Sequence, residues 1–269
     1  MIEIIKYIIL GIIQGFTEPL PISSSGHIFL LKYLFDTNIL NDLNFEIIVN
    51  TGSLIAILII YYKDLKSLII NTIKYIKTKN NIYKIDFNYS ILILIGVLPA
   101  LIIGFLFKGL IESVLNESIF IIGISFIITG IFLYLIRNKN GYKTDYNITC
   151  KDALFVGLVQ VLALIPGISR SGSTLIAGIS RNIKRENAFK YSFMLYIPIS
   201  IGTTILGVSD IIRINNINLI LPYILGFIFS FIVSFFTLKW FRIYVQKGKL
   251  IYFSIYCLII GILSLLFLL

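Results

Sequence analysis

The feature that most constrains this chain is a series of long apolar runs without a charged residue. Four of them approach the roughly 20 residues that a helix needs to cross a bilayer. They cover residues 89–107, 118–136, 219–238 and 250–269. Two further runs, 45–62 and 187–207, carry a charge or polar group only near one end. The sequence therefore predicts six membrane-spanning helices.

The composition agrees with a membrane protein. Of the 269 residues, 58% are hydrophobic and only 13% are charged, whereas soluble domains carry about 25% charged residues. A soluble globule does not need this much apolar surface, so lipid is the predicted solvent for most of the chain. We expect an all-α integral membrane protein in which residues 1–269 form one membrane domain.

The distribution of positive charge predicts the topology. The formal net charge is +10, and 18 of the 23 lysines and arginines lie in four segments that flank apolar runs. Such clustering is what the positive-inside rule predicts for cytoplasmic loops, so we expect these segments in the cytoplasm and no nucleic-acid partner. The basic segments are 63–86, 137–151, 181–190 and 239–249.

With these segments in the cytoplasm, residues 35–44, 108–117 and 208–218 become external loops. Residues 67–77, which lysines interrupt, are predicted to form a short helix at the cytoplasmic surface. The spans then alternate in direction with one exception. Residues 137–151 and 181–190 are both basic, so both should be cytoplasmic, although the apolar segment 152–180 lies between them.

Two apolar segments are therefore predicted to be re-entrant hairpins. Residues 152–180 are broken by the sequence PGISRSG at Pro166–Gly172, and residues 4–34 are broken by PLPISSSGH at Pro19–His27. On either side of the second-hairpin break the chain is too short to span a bilayer. Irregular backbone is tolerated at membrane depth only where protein buries it or where it lines a cavity.

The two hairpins are related in sequence at an offset of 146. Gly11–Gln14 (GIIQ) matches Gly157–Gln160 (GLVQ), and Ile22–Gly26 (ISSSG) matches Ile168–Gly172 (ISRSG). Each repeat then holds one hairpin and three spans, about 1–136 and about 152–269. Because three is an odd number, the second repeat is predicted to be inverted. Inverted repeats with broken helices place their site near the midplane, where the repeats meet.

The polar residues of the hairpins suit a phosphate-binding site. Glu18 and Arg170 are charges at membrane depth, which cost roughly 2.5–3.5 kcal/mol each on insertion scales. A purely structural ion pair would explain them, but not the single histidine of the chain, His27, in the same broken turn. Helices predicted over 28–34 and 173–180 would direct their N-termini at an anion.

These residue types suggest roles in phosphoryl transfer. Arg170 would stabilise charge on phosphate oxygens, and Ser24 would act as nucleophile with His27 as base or acid. Glu18 would bind a divalent cation or orient His27, and Gln14 lies one helical turn before it. Attack by His27 or by water remains open. The predicted pyrophosphate contacts are Ser23, Ser25, Gly26, Ser169, Ser171, Gly172 and Thr174.

Two motifs carry a resemblance to a known family. The stretches Gly11–His27 (GIIQGFTEPLPISSSGH) and Pro166–Thr174 (PGISRSGST) resemble the undecaprenyl pyrophosphate phosphatase family, also called the bacitracin-resistance protein family. Phe45–Ser53 (FEIIVNTGS) is similar to a third family segment, and the likeness runs over nearly the whole chain.

The resemblance implies an activity, a cofactor and a set of residues. The activity is removal of the terminal phosphate of undecaprenyl pyrophosphate with Mg²⁺ or Ca²⁺. The resemblance also implies a dimer in the bacterial inner membrane whose site opens to the periplasm. The family's acidic pair falls on Gln14 and Glu18, its serine on Ser24, its histidine on His27 and its arginine on Arg170. Gln14 departs from the glutamate frequent in the family, which lowers the charge available to a metal.

Other functions share some of these features. Inverted repeats and re-entrant hairpins also occur in secondary transporters, so a carrier of undecaprenyl phosphate or of another anion is an alternative. Ser24 near His27 favours an enzyme, because an anion carrier needs donors but no nucleophile. A scaffold without turnover would leave two polar hairpins unexplained, and a phosphatase of other lipid pyrophosphates remains open.

Overall fold

A computed structural model describes residues 2–35, 43–107, 118–212 and 217–267 of the protein. These residues form α-helices, short 3-10 turns and an isolated bridge between Lys143 and Ile183, without a β-strand. The predicted all-α class is thus confirmed. The helices are α1 (Ile2–Thr17), α2 (Ser24–Phe35), α3 (Leu43–Ile60), α4 (Tyr62–Thr78), α5 (Lys84–Leu106), α6 (Ile119–Ile136), α7 (Cys150–Val161), α8 (Arg170–Ser180), α9 (Arg185–Ile212), α10 (Ile220–Gln246) and α11 (Ile251–Phe267).

Each of the six predicted spans coincides with a helix. Four are long and apolar enough to cross a bilayer alone: Asn81–Leu106, Ile119–Ile136, Arg185–Gly207 and Ile220–Gln246. The first of these joins a 3-10 turn to α5. Helix α3 meets the criterion only together with α4, and α11 is apolar but shorter. The chain is accordingly a multi-pass membrane protein.

Helix α4 corresponds to the predicted surface helix over 67–77, although it is longer. It leaves α3 at Tyr61 with a bend of 74°, and none of its residues is buried. Ile69, Ile73 and Ile76 are exposed along it. The predicted external loop 108–117 lies outside the described residues, as do parts of 35–44 and 208–218.

Both predicted hairpins are broken at proline, and in the second hairpin glycine follows the proline. Helix α1 ends just before Pro19, which has no N–H to continue the helix. In the second hairpin Gly167 takes a left-handed conformation with φ of +86°, which glycine adopts without steric cost. Two short helices, α2 and α8, then lead away from the breaks.

The short helices begin earlier than their predicted starts at 28 and 173. Ser23 and Ser169 act as N-caps, because their hydroxyls accept hydrogen bonds from the amides of Gly26 at 3.2 Å and Gly172 at 3.0 Å. A serine at the N-cap satisfies an amide that the helix leaves unpaired. The serine-rich motifs therefore form the first turns of α2 and α8 instead of preceding them.

The four basic segments meet at one end of the helix bundle. Lys190 Nζ lies 2.7 Å from the Asp64 carboxylate and 3.2 Å from that of Asp145. Arg242 pairs with Glu186 at 3.0 Å on the same side. This common location agrees with the alternation of spans that the charge pattern predicts.

Asp152 anchors the start of the second hairpin at this basic end. It forms a capping box with Thr149 and binds Lys143 at 2.7 Å and Arg181 at 2.9 Å. Burial raises the pKa of Asp152, but the hydrogen bonds from Lys143, Thr149 and Arg181 outweigh burial and lower the pKa to about 2. The first turn of α7 is thereby tied to the loop before it and to the end of α8.

Candidate active site

The breaks of the two hairpins touch each other in the interior of the bundle. The Ser171 hydroxyl donates to the backbone oxygen of Leu20 at 2.8 Å, and Arg170 forms an ion pair with Glu18. A Cβ on Gly172 would lie 3.4 Å from Cβ of Pro21. The structure thus brings together the two motifs that the sequence places 146 residues apart.

A polar cavity of about 130 Å³ lies at this junction. The first turns of α2 and α8 both border it. The first amides of a helix have no partner within the helix, and the N-terminal end of the helix dipole favours an anion. Two helix N-termini therefore act on one small space. The lining residues are Glu18, Ser23, Ser24, Ser25, Ala163, Ile168, Ser169, Arg170 and Ser171.

Glu18 accepts three hydrogen bonds at the edge of this cavity. Its Oε2 accepts from the Ser24 hydroxyl and from Nε2 of Gln14 at 3.1 Å, while its Oε1 accepts from Nη2 of Arg170. Gln14 and Glu18 are both buried. The carboxylate thus contacts the predicted nucleophile, the predicted arginine and its own helical neighbour.

Arg170 is held on two sides and keeps one donor available. Its guanidinium carbon lies 3.9 Å from the centre of the Tyr196 ring, and the Tyr196 hydroxyl donates to Oδ1 of Asn50 at 2.8 Å. The buried Nη1 of Arg170 has no hydrogen-bond partner within the described residues. An unpaired buried donor is costly, so this atom is suited to an oxygen of a ligand.

His27 has partners other than the predicted nucleophile. Its Nδ1 lies 2.7 Å from the backbone oxygen of Ser23, and its Nε2 lies 2.7 Å from the hydroxyl of Tyr256. In the described part of the chain, the hydroxyl of Ser24 bonds to Glu18 and not to the imidazole. A role of His27 as base or acid for Ser24 stays a prediction.

Three residues predicted to contact pyrophosphate, Gly26, Gly172 and Thr174, are not among the residues that line the cavity. A Cβ on Gly26 would lie 2.8 Å from the Phe126 ring, and Gly172 is similarly close to Ser169. The Thr174 hydroxyl donates to the backbone oxygen of Arg170 at 3.0 Å. These positions support the two helix starts in this structure, and their contact with a substrate stays a prediction.

Three residues at the site were missed by the sequence interpretation: Asn50, Tyr196 and Tyr256. Asn50 belongs to the segment Phe45–Ser53, so a polar residue within that apolar run was an available signal. The tyrosines had none, because the chain contains 16 of them and most lie in apolar runs.

The oxygen ligands for a metal are few. Glu18 and Gln14 are adjacent and offer a carboxylate and an amide, while the described residues contain no group of three or more His, Cys, Asp or Glu that could hold a metal ion. Mg²⁺ is commonly bound by one or two carboxylates together with substrate phosphates. The residues therefore fit a cation that shares its ligands with a bound pyrophosphate.

Comparison with known proteins decides the family. The family model described as bacitracin resistance protein BacA matches residues 7–263. The chain belongs to the BacA family. Undecaprenyl-diphosphatase 1 of Bacillus licheniformis is 45% identical over 265 residues, 98% of each chain. Undecaprenyl-diphosphatase 2 of Bacillus thuringiensis is 47% identical over 98% of each chain. Undecaprenyl-diphosphatase 1 of Halalkalibacterium halodurans is 44% identical, covering 97% of this chain and 95% of its own.

Proposed function

We propose that this chain hydrolyses undecaprenyl pyrophosphate to undecaprenyl phosphate and inorganic phosphate. The BacA-family membership and the names of the relatives support this activity, and resistance to bacitracin follows from the family. The hydrolysis recycles the carrier lipid of peptidoglycan synthesis. The observation that carries the proposal is the Ser24 hydroxyl, bonded to the Glu18 carboxylate at the mouth of an anion-binding cavity.

The cavity would bind the diphosphate between the two helix N-termini. Amides of the first turns of α2 and α8 would donate to phosphate oxygens from opposite sides. The hydroxyls of Ser23, Ser25 and Ser169, which line the cavity, would add further donors. Nη1 of Arg170 would donate to the terminal phosphate. The prenyl chain would extend into lipid, where its apolar surface is stable.

Ser24 is the proposed nucleophile and Glu18 its base. The Ser24 oxygen attacks the terminal phosphorus, its proton passes to Glu18, and the bond to the bridging oxygen breaks to release undecaprenyl phosphate. Water then hydrolyses the phosphoserine. Arg170 stabilises the charge that develops on the transferred phosphoryl group. Direct attack by water on the pyrophosphate, with Glu18 as base, would use the same residues without a covalent intermediate.

A divalent cation, Mg²⁺ or Ca²⁺, is part of the proposal. Glu18 and Gln14 would hold it next to the diphosphate. A bound cation neutralises phosphate charge and polarises the phosphoryl oxygens. Gln14 can coordinate through its oxygen but adds no charge, so most of the electrostatic attraction would come from Glu18 and the substrate.

We also propose the inverted repeat, with repeats at about 1–136 and about 152–269. Equivalent close contacts between helices in the two halves support it. A Cβ on Gly11 would lie 2.4 Å from the backbone oxygen of Gly226, and a Cβ on Gly157 would lie 2.5 Å from that of Gly96. Gly11 and Gly157 are equivalent at the offset of 146. Helix α1 thus packs on α10 as α7 packs on α5.

The remaining proposals concern assembly and orientation. The family resemblance suggests a homodimer with the site open to the periplasm. The clustering of basic segments at one end of the bundle supports a cytoplasmic location for that end. The polyprenyl lipid substrate and the bilayer are the expected partners.

Phosphate release from undecaprenyl pyrophosphate by the purified protein tests the function. We expect turnover with Mg²⁺ and none with EDTA, and losses of about two orders of magnitude or more in Ser24→Ala, Glu18→Gln and Arg170→Ala. Ser67→Ala, on the exposed face of α4, is the matched control and should keep full activity. Mass spectrometry of acid-quenched protein would reveal the phosphate on Ser24.

The same assay separates the alternatives. Turnover without a phosphoserine would favour direct attack by water. A folded wild-type protein that releases no phosphate with any metal would contradict the enzyme. Transport of undecaprenyl phosphate across proteoliposomes would then be the alternative activity of the site.

A further inference from the structure

The turn that precedes Ser24 has a strained backbone. Ser23 has a φ of +66°, in the left-handed region. A residue other than glycine is strained there, and the conformation persists only when its surroundings enforce it. The equivalent residue at the offset of 146 is Ser169, an N-cap with an ordinary φ of −67°. The strain is therefore specific to the hairpin that carries the proposed nucleophile.

His27 is the side chain that holds this turn. The backbone oxygen of Ser23 accepts from the His27 amide at 3.3 Å and lies 2.7 Å from Nδ1 of the imidazole. The position equivalent to His27 in the second hairpin is Ser173, which has no ring to reach back in this way. A left-handed residue at the position of Ser23 and an imidazole at the position of His27 thus occur together in the first hairpin, and neither occurs at the equivalent positions, Ser169 and Ser173, of the second.

The partners of the imidazole determine its tautomer. A backbone carbonyl only accepts hydrogen bonds, so the contact with Ser23 requires a proton on Nδ1. In the neutral ring Nε2 is then an acceptor, and the hydroxyl of Tyr256 donates to it at 2.7 Å. The Tyr256 ring is parallel to the imidazole at 5.6 Å, and the Phe126 ring meets it edge-on at 5.1 Å.

We propose that Tyr256 is a positioning residue of the site. Its hydroxyl donates to Nε2 and holds the imidazole ring in place, Nδ1–H of the ring binds the Ser23 carbonyl, and the strained turn directs the Ser24 hydroxyl at Glu18. The proposal deepens the proposed function, on which its kinetic effects rest. His27 then acts on catalysis through the backbone that presents Ser24, and Tyr256 acts through His27.

The single histidine of the chain makes the tautomer directly measurable. Nitrogen-15 NMR of histidine-labelled full-length protein in lipid nanodiscs reports on one imidazole. We expect a protonated Nδ1 and a hydrogen-bonded, unprotonated Nε2 in the wild type. Tyr256→Phe keeps the ring and removes only the hydroxyl, so we expect the Nε2 signal to shift to that of an unprotonated nitrogen without a donor, while Nδ1 stays protonated.

Kinetics of the same variants complete the test. Tyr256→Phe should lower kcat by about tenfold, the upper end for loss of one hydrogen bond, with KM changed less than about twofold. Tyr252→Phe, on the same helix one turn earlier and exposed, is the matched control and should match the wild type in both measurements.

Two outcomes would overturn the proposal: a wild-type imidazole protonated on Nε2, or a Tyr256→Phe variant with the wild-type spectrum and full kcat. The spectrum needs no turnover. If the wild type released no phosphate, the proposed function would fail while the NMR result still decided the role of Tyr256 in holding His27.

Discussion

At the scale of single residues, Glu18 is the group that contacts most of the other polar side chains of the site. Its carboxylate accepts hydrogen bonds from Gln14, Ser24 and Arg170, and only Arg170 among these brings a positive charge. A divalent cation that joins them must compete with Arg170 for the carboxylate. Cation affinity should therefore depend strongly on the charge at position 14, because Gln14, on α1, is hydrogen-bonded to Glu18.

We predict that Gln14→Glu lowers the Mg²⁺ concentration for half-maximal activity by at least about tenfold. Two unit charges about 4 Å apart interact by about 4 kcal/mol at an effective dielectric constant of 20. Part of this gain is lost to repulsion between the new carboxylate and Glu18. Phosphate release measured against Mg²⁺ concentration gives the value. Gln14→Leu, which removes the oxygen, should raise the requirement, and an unchanged requirement in Gln14→Glu would argue against a metal at this position.

The site residues that interrupt an apolar run could be predicted from the sequence, whereas their hydrogen-bond partners could not. Glu18, Ser24 and Arg170 stand out because polar groups are costly at membrane depth, and the structure does bring them together. His27 was proposed as base or acid for Ser24 because the two residues are close in sequence. The imidazole instead bonds to Ser23 and Tyr256, and Tyr256 lies on α11, far away in sequence.

At the scale of elements, the hairpins depend on how their helices begin. Helix α7 starts at the basic end with the capping box of Thr149 and Asp152. The buried Asp152 carboxylate also binds Lys143 and Arg181. This one side chain connects the loop before α7, the first turn of α7 and the end of α8, so it fixes both ends of the second hairpin.

We predict that Asp152→Asn lowers the melting temperature in detergent at pH 7 by roughly 2–4 °C, as expected for about 1 kcal/mol in a chain of this size. The pKa of Asp152 is lowered to about 2, so the stabilisation is fully present above the unfolded-state pKa near 3.9. It is lost as the pH falls toward 2. The difference between wild type and variant should therefore shrink below about pH 4, and a difference independent of pH would contradict the ion pairs.

The elements were predictable to different degrees. The apolar runs located a helix at each of the six predicted spans, four of which are long and apolar enough to cross a bilayer alone. Proline located the first break, and proline with glycine located the second, because these signals are local. The starts of α2 and α8 were placed too late, since capping by Ser23 and Ser169 was not recognised. Gln14 and Gln160 occupy equivalent positions in the two repeats, but their hydrogen bonds differ. Gln14 bonds to Glu18, whereas the amide of buried Gln160 has no partner within the described residues, because position 164 is leucine.

At the scale of the whole molecule, the ion pairs between the basic segments define one polar end. Lys190 joins Asp64 to Asp145, and Arg242 joins Glu186, so segments distant in sequence share one face of the bundle. The charge pattern alone required these segments to lie on the same side. It left the orientation to the positive-inside rule, which the two native cysteines of the chain can test.

Cys150 is exposed at the basic end, at the start of α7, whereas Cys257 is buried. If the basic end faces the cytoplasm, a membrane-impermeant maleimide should not label the protein in intact cells or spheroplasts. It should label Cys150 once the membrane is permeabilised, and Cys150→Ser should remove that signal.

A cysteine at the opposite end provides the matched control. Ser118 precedes α6 and its side chain makes no capping hydrogen bond, so Ser118→Cys in the Cys150→Ser background should be tolerated and should be labelled in intact spheroplasts. If Cys150 were labelled in intact spheroplasts and the cysteine at position 118 were not, the protein would have the opposite orientation in the membrane. The cavity would then be reached from the other side of the membrane, because the site moves with the bundle that holds it.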